Sequence, residues 1–244
     1  MSKQLTRPQK IAITTVFTAL VCVTTMIFSI YVPQTRGYFN IGEGIIYITA
    51  LLFGPVIGSV AGGVGSMLSD LLLGYTQYAP ATLIIKAIEG GIVGVLSRGG
   101  IKFKSKGSWQ VFTLISGLVV GALLAYIGSS YYSGNIEFYF GIPPPSNPSI
   151  VLDISPIFWY LLGFLATASV GAIGFMRQPE LGRVILAVLI GGLEMVAGYY
   201  CYEQFIMGVL AIAEVPINIG QMIVGLIVAI PVAKAVKRVL PNIA

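Results

Sequence analysis

The sequence predicts an all-α integral membrane protein, a single membrane domain over residues 1–244. Composition carries that prediction: 56% of the 244 residues are hydrophobic, only 9% are charged, and the mean hydropathy is +0.90. Soluble domains hold about 25% charged residues. The second observation is that apolar runs recur at the length needed to cross a bilayer, giving about eight hydrophobic segments.

The segments follow in order. Residues 11–31 form the first run, behind Lys3, Arg7 and Lys10. It is too long for a signal sequence and lacks a small-residue cleavage site, so it reads as a retained span. Residues 41–53 are short, because thirteen residues at about 1.5 Å each reach only ~20 Å of a hydrocarbon layer about 30 Å thick. Gly54-Pro55 directly after them predicts a bent hairpin into the third run, 56–73. Short or Gly/Pro-broken helices border cavities, since irregular backbone at that depth must face protein or water. Runs at 81–97 and 110–131 flank a loop with Arg98, Lys102, Lys104 and Lys106. The loop 132–154 contains Pro143-Pro144-Pro145, a stiff polyproline stretch expected to lie along the membrane surface or to serve as a plain connector. Runs at 155–176, 184–204 and 215–233 complete the set, with Arg177 and Arg183 between the first two and Lys234, Lys237 and Arg238 after the last.

With eight segments, twelve of the 14 Lys and Arg fall on one side, leaving Arg36 on the other and Lys86 inside a segment. The positive-inside rule then predicts a multi-pass plasma-membrane protein with both termini cytoplasmic. The net charge of +5 reports this topology and contact with the lipid bilayer; it gives no ground for a nucleic-acid partner. The absence of His removes His-based metal sites, triads and general bases, so no catalytic residue, metal or cofactor is expected. Cys22 and Cys201 lie in apolar runs and read as packing residues. No Gly-x-x-x-x-Gly-Lys-Ser/Thr stretch occurs, so any ATP dependence belongs to a partner.

Five ionisable residues sit in or at the ends of apolar runs: Glu43, Asp70, Lys86, Glu89 and Glu194. At about 2.5 to 3.5 kcal/mol each near a helix centre, such groups persist where they pair or face a cavity. Lys86 lies ~9 Å below Pro80 along its helix and Glu89 ~14 Å. Three apart, they share a face, as a mutual ion pair or as a pair that also touches a ligand. Tyr199, Tyr200, Tyr202 and Glu203 approach the outer end of the seventh run, and Asn218 with Gln221 occupies the first outer turns of the last. Asn40 and Glu43 open the short segment, while Asp70, Tyr75, Gln77 and Tyr78 crowd the end of the third. An outward-facing pocket explains this one-sided polar inventory, with aromatic walls for a planar ligand. The aromatic belt of membrane proteins is the competing account of the tyrosines. Gly58, Gly62 and Ser66, spaced by four, form a small-residue ridge for packing within the chain or for docking a second membrane subunit.

Taken together, Gly37-Tyr38-Phe39-Asn40-Ile41-Gly42-Glu43, Ala50-Leu51-Leu52-Phe53-Gly54-Pro55, Asp70 through Gly74, Tyr75, Gln77 and Tyr78 to Pro80, Lys86-Ala87-Ile88-Glu89-Gly90 and Pro216-Ile217-Asn218-Ile219-Gly220-Gln221 carry a resemblance. In that order they resemble the S component, the substrate-binding membrane subunit, of an energy-coupling factor (ECF) vitamin transporter of the riboflavin-transporter-like type. The resemblance implies a six-helix S-component-like core at 10–98 and 182–240, with an extra inserted transmembrane hairpin at 109–177. It implies capture of a small-molecule vitamin, and transport only with a membrane T component and two cytoplasmic ATPase subunits. It implies ligand contacts from Tyr38, Asn40, Tyr75, Tyr78, Lys86, Glu89, Glu194, Tyr199, Asn218 and Gln221, beside Glu43 in the polar cluster. It also implies a T-component docking face at Thr15 and Ala19, where the family carries two alanines; the small-residue ridge at Gly58 and Gly62 is a further docking candidate by its spacing alone.

The expected function is therefore a binding subunit and no enzyme. Tyrosine-rich outer segments favour a planar heteroaromatic ligand. Riboflavin comes first, then a pyridoxine-like or pyrimidine precursor. The alternative is an autonomous cation-coupled carrier in which Glu89 or Glu194 exchanges protons beside Lys86; no inverted repeat supports it.

Overall fold

The helices begin where the chain supplies caps in the computed structural model, which describes residues 5–33, 35, 37–100, 105–141, 145–175 and 179–239. Helix α1 (Arg7–Ile27) starts at Thr6: its hydroxyl accepts from the Gln9 amide, and the Gln9 side chain accepts from the Thr6 N–H. This reciprocal cap, with Pro8 in the first turn, starts the helix ahead of the apolar run at residue 11. The helix also stops before the expected residue 31. Ser29–Val32, rich in β-branched and aromatic side chains, forms strand β1 and pairs antiparallel with β2 (Gly37–Asn40).

Helix α2 (Glu43–Phe53) has 11 residues, a length of ~16 Å. Gly54, at φ 90°, reverses the chain in a conformation that side chains avoid, and Pro55 opens α3 (Pro55–Leu73). That is the bent hairpin expected from Gly54-Pro55. A tight turn leads to α4 (Ala79–Val95), and a π-type turn kinked at Gly99 follows. Ser105 caps α5 (Lys106–Tyr131) and Ser155 caps α6 (Pro156–Ile173). Helix α7 (Pro179–Met207) runs through a 3-10 turn, Gly208–Ala213, into α8 (Glu214–Val239). Both extend past their apolar runs, α8 through Lys234, Lys237 and Arg238. Helices α1, α3, α4 and α5 and the continuous stretch Gly182–Val239 are long and apolar enough to cross a membrane. The all-α membrane class thus holds.

The connections read as loops from the sequence contain a small sheet. Strands β3 (Gly134–Phe140) and β4 (Ile150–Ile154) form a hairpin, and β3 also pairs with β1, giving the order β2-β1-β3-β4. The segment expected along the membrane surface is therefore largely a β-hairpin. Pro143 and Pro144 lie outside the described residues, as do Lys3, Arg36, Lys102, Lys104 and Arg177.

Close packing fixes the bundle. Helices α3 and α4 cross through Gly58 and Gly90, where a Cβ on either would meet backbone of the other helix. Gly62 lies against Ile46 and the Lys86 carbonyl, and Gly225 of α8 lets the Glu43 and Tyr47 side chains of α2 pass. One apolar cluster joins α4, α5, α7 and α8 around Ile85, Leu124, Met195 and Ile219; a second joins α1, α2 and α8 around Val21, Ile46 and Ala229. Helices α5 and α6 pack chiefly on one another, with Thr167 donating to the Gly117 carbonyl at 3.0 Å, and α5 reaches α8. At the sheet end, Trp159 donates to the Tyr132 carbonyl (2.7 Å), and Tyr132 in turn donates to the Ala213 carbonyl (2.8 Å).

Candidate functional site

At the sheet end of the bundle a cavity of about 60 Å³ is enclosed by β2, the end of α3, the start of α4 and the facing turns of α7 and α8. Strand β2 contributes Gly37, Tyr38 and Asn40. Asp70 closes α3, and Gly74 at φ 88° turns the chain so that Tyr75 and Tyr78 follow over the cavity. Thr82 and Lys86 come one turn apart from α4, Tyr199 and Glu203 from α7, and Glu214, Asn218 and Gln221 from α8.

Aromatic rings make one wall. Tyr38 and Tyr75 stand 4.9 Å apart between centroids, Tyr75 and Tyr78 6.4 Å, and Tyr78 and Tyr202 6.1 Å. Such a tyrosine chain offers flat apolar faces with a hydroxyl on each edge. The Tyr38 hydroxyl donates to Asp70 Oδ1 at 2.6 Å, and Tyr199 donates to Thr82 at 3.0 Å. Burial, then the neighbouring Asp70 carboxylate, holds the Tyr38 phenol well above its usual range, and burial pushes Tyr75 up to about 12. Burial, with Glu203 and Glu214 behind it, raises Tyr78 as well. These hydroxyls therefore stay protonated as donors at any physiological pH.

Amides make the second wall. Gln221 Oε1 accepts from the Asn40 backbone N–H (3.2 Å) and from the Asn40 side chain, while Gln221 Nε2 donates to Asn218 Oδ1 at 2.8 Å. Asn40 Oδ1 takes the Gly42 amide at 2.9 Å, which ties β2 to the entry of α2. The floor is ionic. Lys86 pairs with Glu43 and lies 3.2 Å from Glu89 Oε2, and Tyr47 donates to Glu89 Oε1 at 2.7 Å. The Lys86 ammonium also sits 5.4 Å from the centre of the Tyr199 ring.

Of the residues expected to touch a ligand, Tyr38, Asn40, Tyr75, Tyr78, Lys86, Tyr199, Asn218 and Gln221 line this cavity. Glu43 and Glu89 do not; they lie beneath it and grip Lys86. Glu194 is not among the lining residues either. The pair expected between Lys86 and Glu89 is a triad, because helical spacing reveals a partner on the same helix but not Glu43 on α2. Gly37, Asp70, Thr82, Glu203 and Glu214 line the cavity without having been named as ligand contacts, although Asp70 and Glu203 belonged to the outer polar inventory. The signal for Glu203 and Glu214 was their place at the inner edges of one short connection, where two facing helix ends meet.

The docking candidates divide. Thr15 and Ala19 are exposed on α1, and the Thr15 hydroxyl is satisfied by the Ile11 carbonyl at 3.0 Å, leaving a small smooth surface. Gly58 and Gly62 are buried against α2 and α4, so their ridge packs the bundle and offers a partner nothing. Among the described residues, no group of three or more His, Cys, Asp or Glu is placed to hold a metal ion.

Residues 6–154 match the family described as ECF-type riboflavin transporter, S component. The match crosses the expected start of the inserted hairpin and takes in α5 and the β3–β4 pair. A relative from Pyrococcus woesei, described as "Uncharacterized protein in gap 3'region", is 42% identical over 111 residues, 46% of this chain and 71% of that protein. The match covers more than half of the chain and joins a helical membrane architecture with an enclosed polar cavity. This chain belongs to the S-component family of ECF-type riboflavin transporters, the vitamin-binding membrane subunits of those importers.

Proposed function

We propose that the chain captures riboflavin at the sheet-end cavity and that this end faces outward, with both termini cytoplasmic. The observation that carries the reading is the cavity's lining: a tyrosine wall with the Asn40–Gln221–Asn218 amides, over a floor where Lys86 is held by Glu43 and Glu89. A ring system stacks on the first while its polar edge meets the second. At about 60 Å³ the cavity is far below the ~300 to 1,000 Å³ of ligand sites, so riboflavin enters only when the β1–β2 hairpin and the Tyr75–Tyr78 turn swing away. Ligand contacts come from the eight expected residues that line the cavity. Glu43 and Glu89 act through Lys86.

Release to the cytoplasm then falls to a T component, docked on the Thr15 and Ala19 face of α1, and to two ATPase subunits that reorient the whole subunit. Helices α5 and α6 form a hairpin added beside a six-helix core. The test is equilibrium binding of riboflavin to purified protein, followed by uptake into proteoliposomes with and without the T component and ATPases. Tight binding with uptake only in the full assembly is expected. Uptake by the chain alone, abolished by collapsing the proton gradient, would instead favour an autonomous carrier.

A further inference from the structure

Glu203, near the end of α7, and Glu214, the first residue of α8, carry carboxylates with no part in the contacts described above. Both line the cavity, and their exposures are only 3% and 4%. Oε2 of Glu203 and Oε1 of Glu214 accept no hydrogen bond, although an unpaired buried acceptor is costly. Glu214 Oε1 lies against Gly37 of β2, where a Cβ would overlap it, and the Thr35 hydroxyl is a polar neighbour of the Glu214 side chain. A glycine there makes room for the oxygen. Lys86 does not answer these acceptors, because it is committed to Glu43 and Glu89, and among the described residues no other Lys or Arg lines the cavity. Asp70 adds a third carboxylate to the lining.

We infer that Glu203 and Glu214 are a paired acceptor for a hydrogen-bond-donating end of the ligand, hydroxyl or ammonium, and that they exclude phosphorylated forms of the same vitamin. Two unpaired acceptors on residues that line one void call for donors. The hydroxyl chain of riboflavin supplies them, and so does a protonated amine. A phosphate monoester brings about −1.5 to −2 charge and further acceptors, and meets the side chains of Glu203, Glu214 and Asp70, while Lys86, the cation among the described lining residues, is already engaged. The inference rests on vitamin capture as proposed above.

The test is calorimetric titration of the purified full chain near neutral pH with matched probes: riboflavin and its 5′-phosphate, thiamine and its monophosphate, pyridoxamine and its 5′-phosphate. The free member of at least one pair should bind, and its phosphate should bind about 100-fold more weakly or worse, as like charges oppose it. In the double variant Glu203→Gln with Glu214→Gln, near-isosteric but uncharged, the ratio should narrow to below about tenfold. A phosphorylated form binding within about threefold of its free form, or an unchanged ratio in the variant, overturns the paired acceptor while leaving vitamin capture standing. Should the double variant not fold, the wild-type ratio and Glu203→Gln alone decide. If no probe binds, vitamin capture falls and the inference with it.

Discussion

Lys86→Met tests whether the lysine holds the bundle together or reads the ligand. Lys86, Glu43 and Glu89 are 4%, 1% and 0% exposed, and among the described residues the lysine is the only cation paired with either carboxylate. Methionine nearly matches the volume and removes only the charge. Two carboxylates from different helices are then left buried side by side, with the Tyr47 hydroxyl donating to Glu89. Breaking a buried pair by deleting one partner costs about 3 to 5 kcal/mol, a fall in Tm of about 6 to 20 °C for a chain of this size. Thermal unfolding of the detergent-solubilised protein, followed by tryptophan fluorescence, reads the change. The triple variant Lys86→Met, Glu43→Gln, Glu89→Gln should recover most of it, since amides carry no charge to strand. A single variant within about 1 kcal/mol of the parent, or a triple variant no more stable than the single, would refute the triad as a structural element.

Three further outcomes follow from contacts already described. Gly90→Val should lower stability by about 1 to 3 kcal/mol or more, because its side chain falls on the Gly58 backbone at the α3–α4 crossing; a melting curve checks it. Asn218→Ala removes the acceptor that orients the Gln221 amide, and riboflavin Kd should rise about tenfold by titration. Thr15→Leu should leave that Kd unchanged yet abolish co-purification with a T component, since Thr15 is exposed on α1 and remote from the lining residues.

Apolar run length and charge placement made the helices legible, because both reflect the bilayer more than any tertiary detail. Helix ends were less so: Thr6 and Lys234 extend α1 and α8 beyond their hydrophobic stretches. Polar residues in apolar surroundings located the cavity's neighbourhood, but their partners depend on long-range folding. Asn40 meets Gln221 across 181 positions, and Lys86 meets Glu43 across 43. Local periodicity sees neither. Strands β1 and β2 escaped notice because they have 4 residues each, too few for an alternating pattern to stand out among aromatic loop residues. The small-residue ridge at Gly58 and Gly62 looked the same for internal and external packing, and only the presence of α2 and α4 across from it decides.

The order of the strands constrains how the cavity opens. Strand β2 carries Tyr38 and Asn40, yet it is an edge strand bonded along its length to β1, and β1 is held on its other side to β3 by a short seam: Ile30 with Phe140, Tyr31 with Tyr139, and the Gly141 N–H donating to the Ser29 carbonyl at 3.4 Å. Lifting the β1–β2 hairpin from the cavity must either part that short seam or pull β3 along with it. β3 follows directly on α5, so in the second case the α5–α6 pair is geared to the mouth of the site. Stiffening the seam would trade speed of entry for tightness of hold, at a position that never touches the ligand.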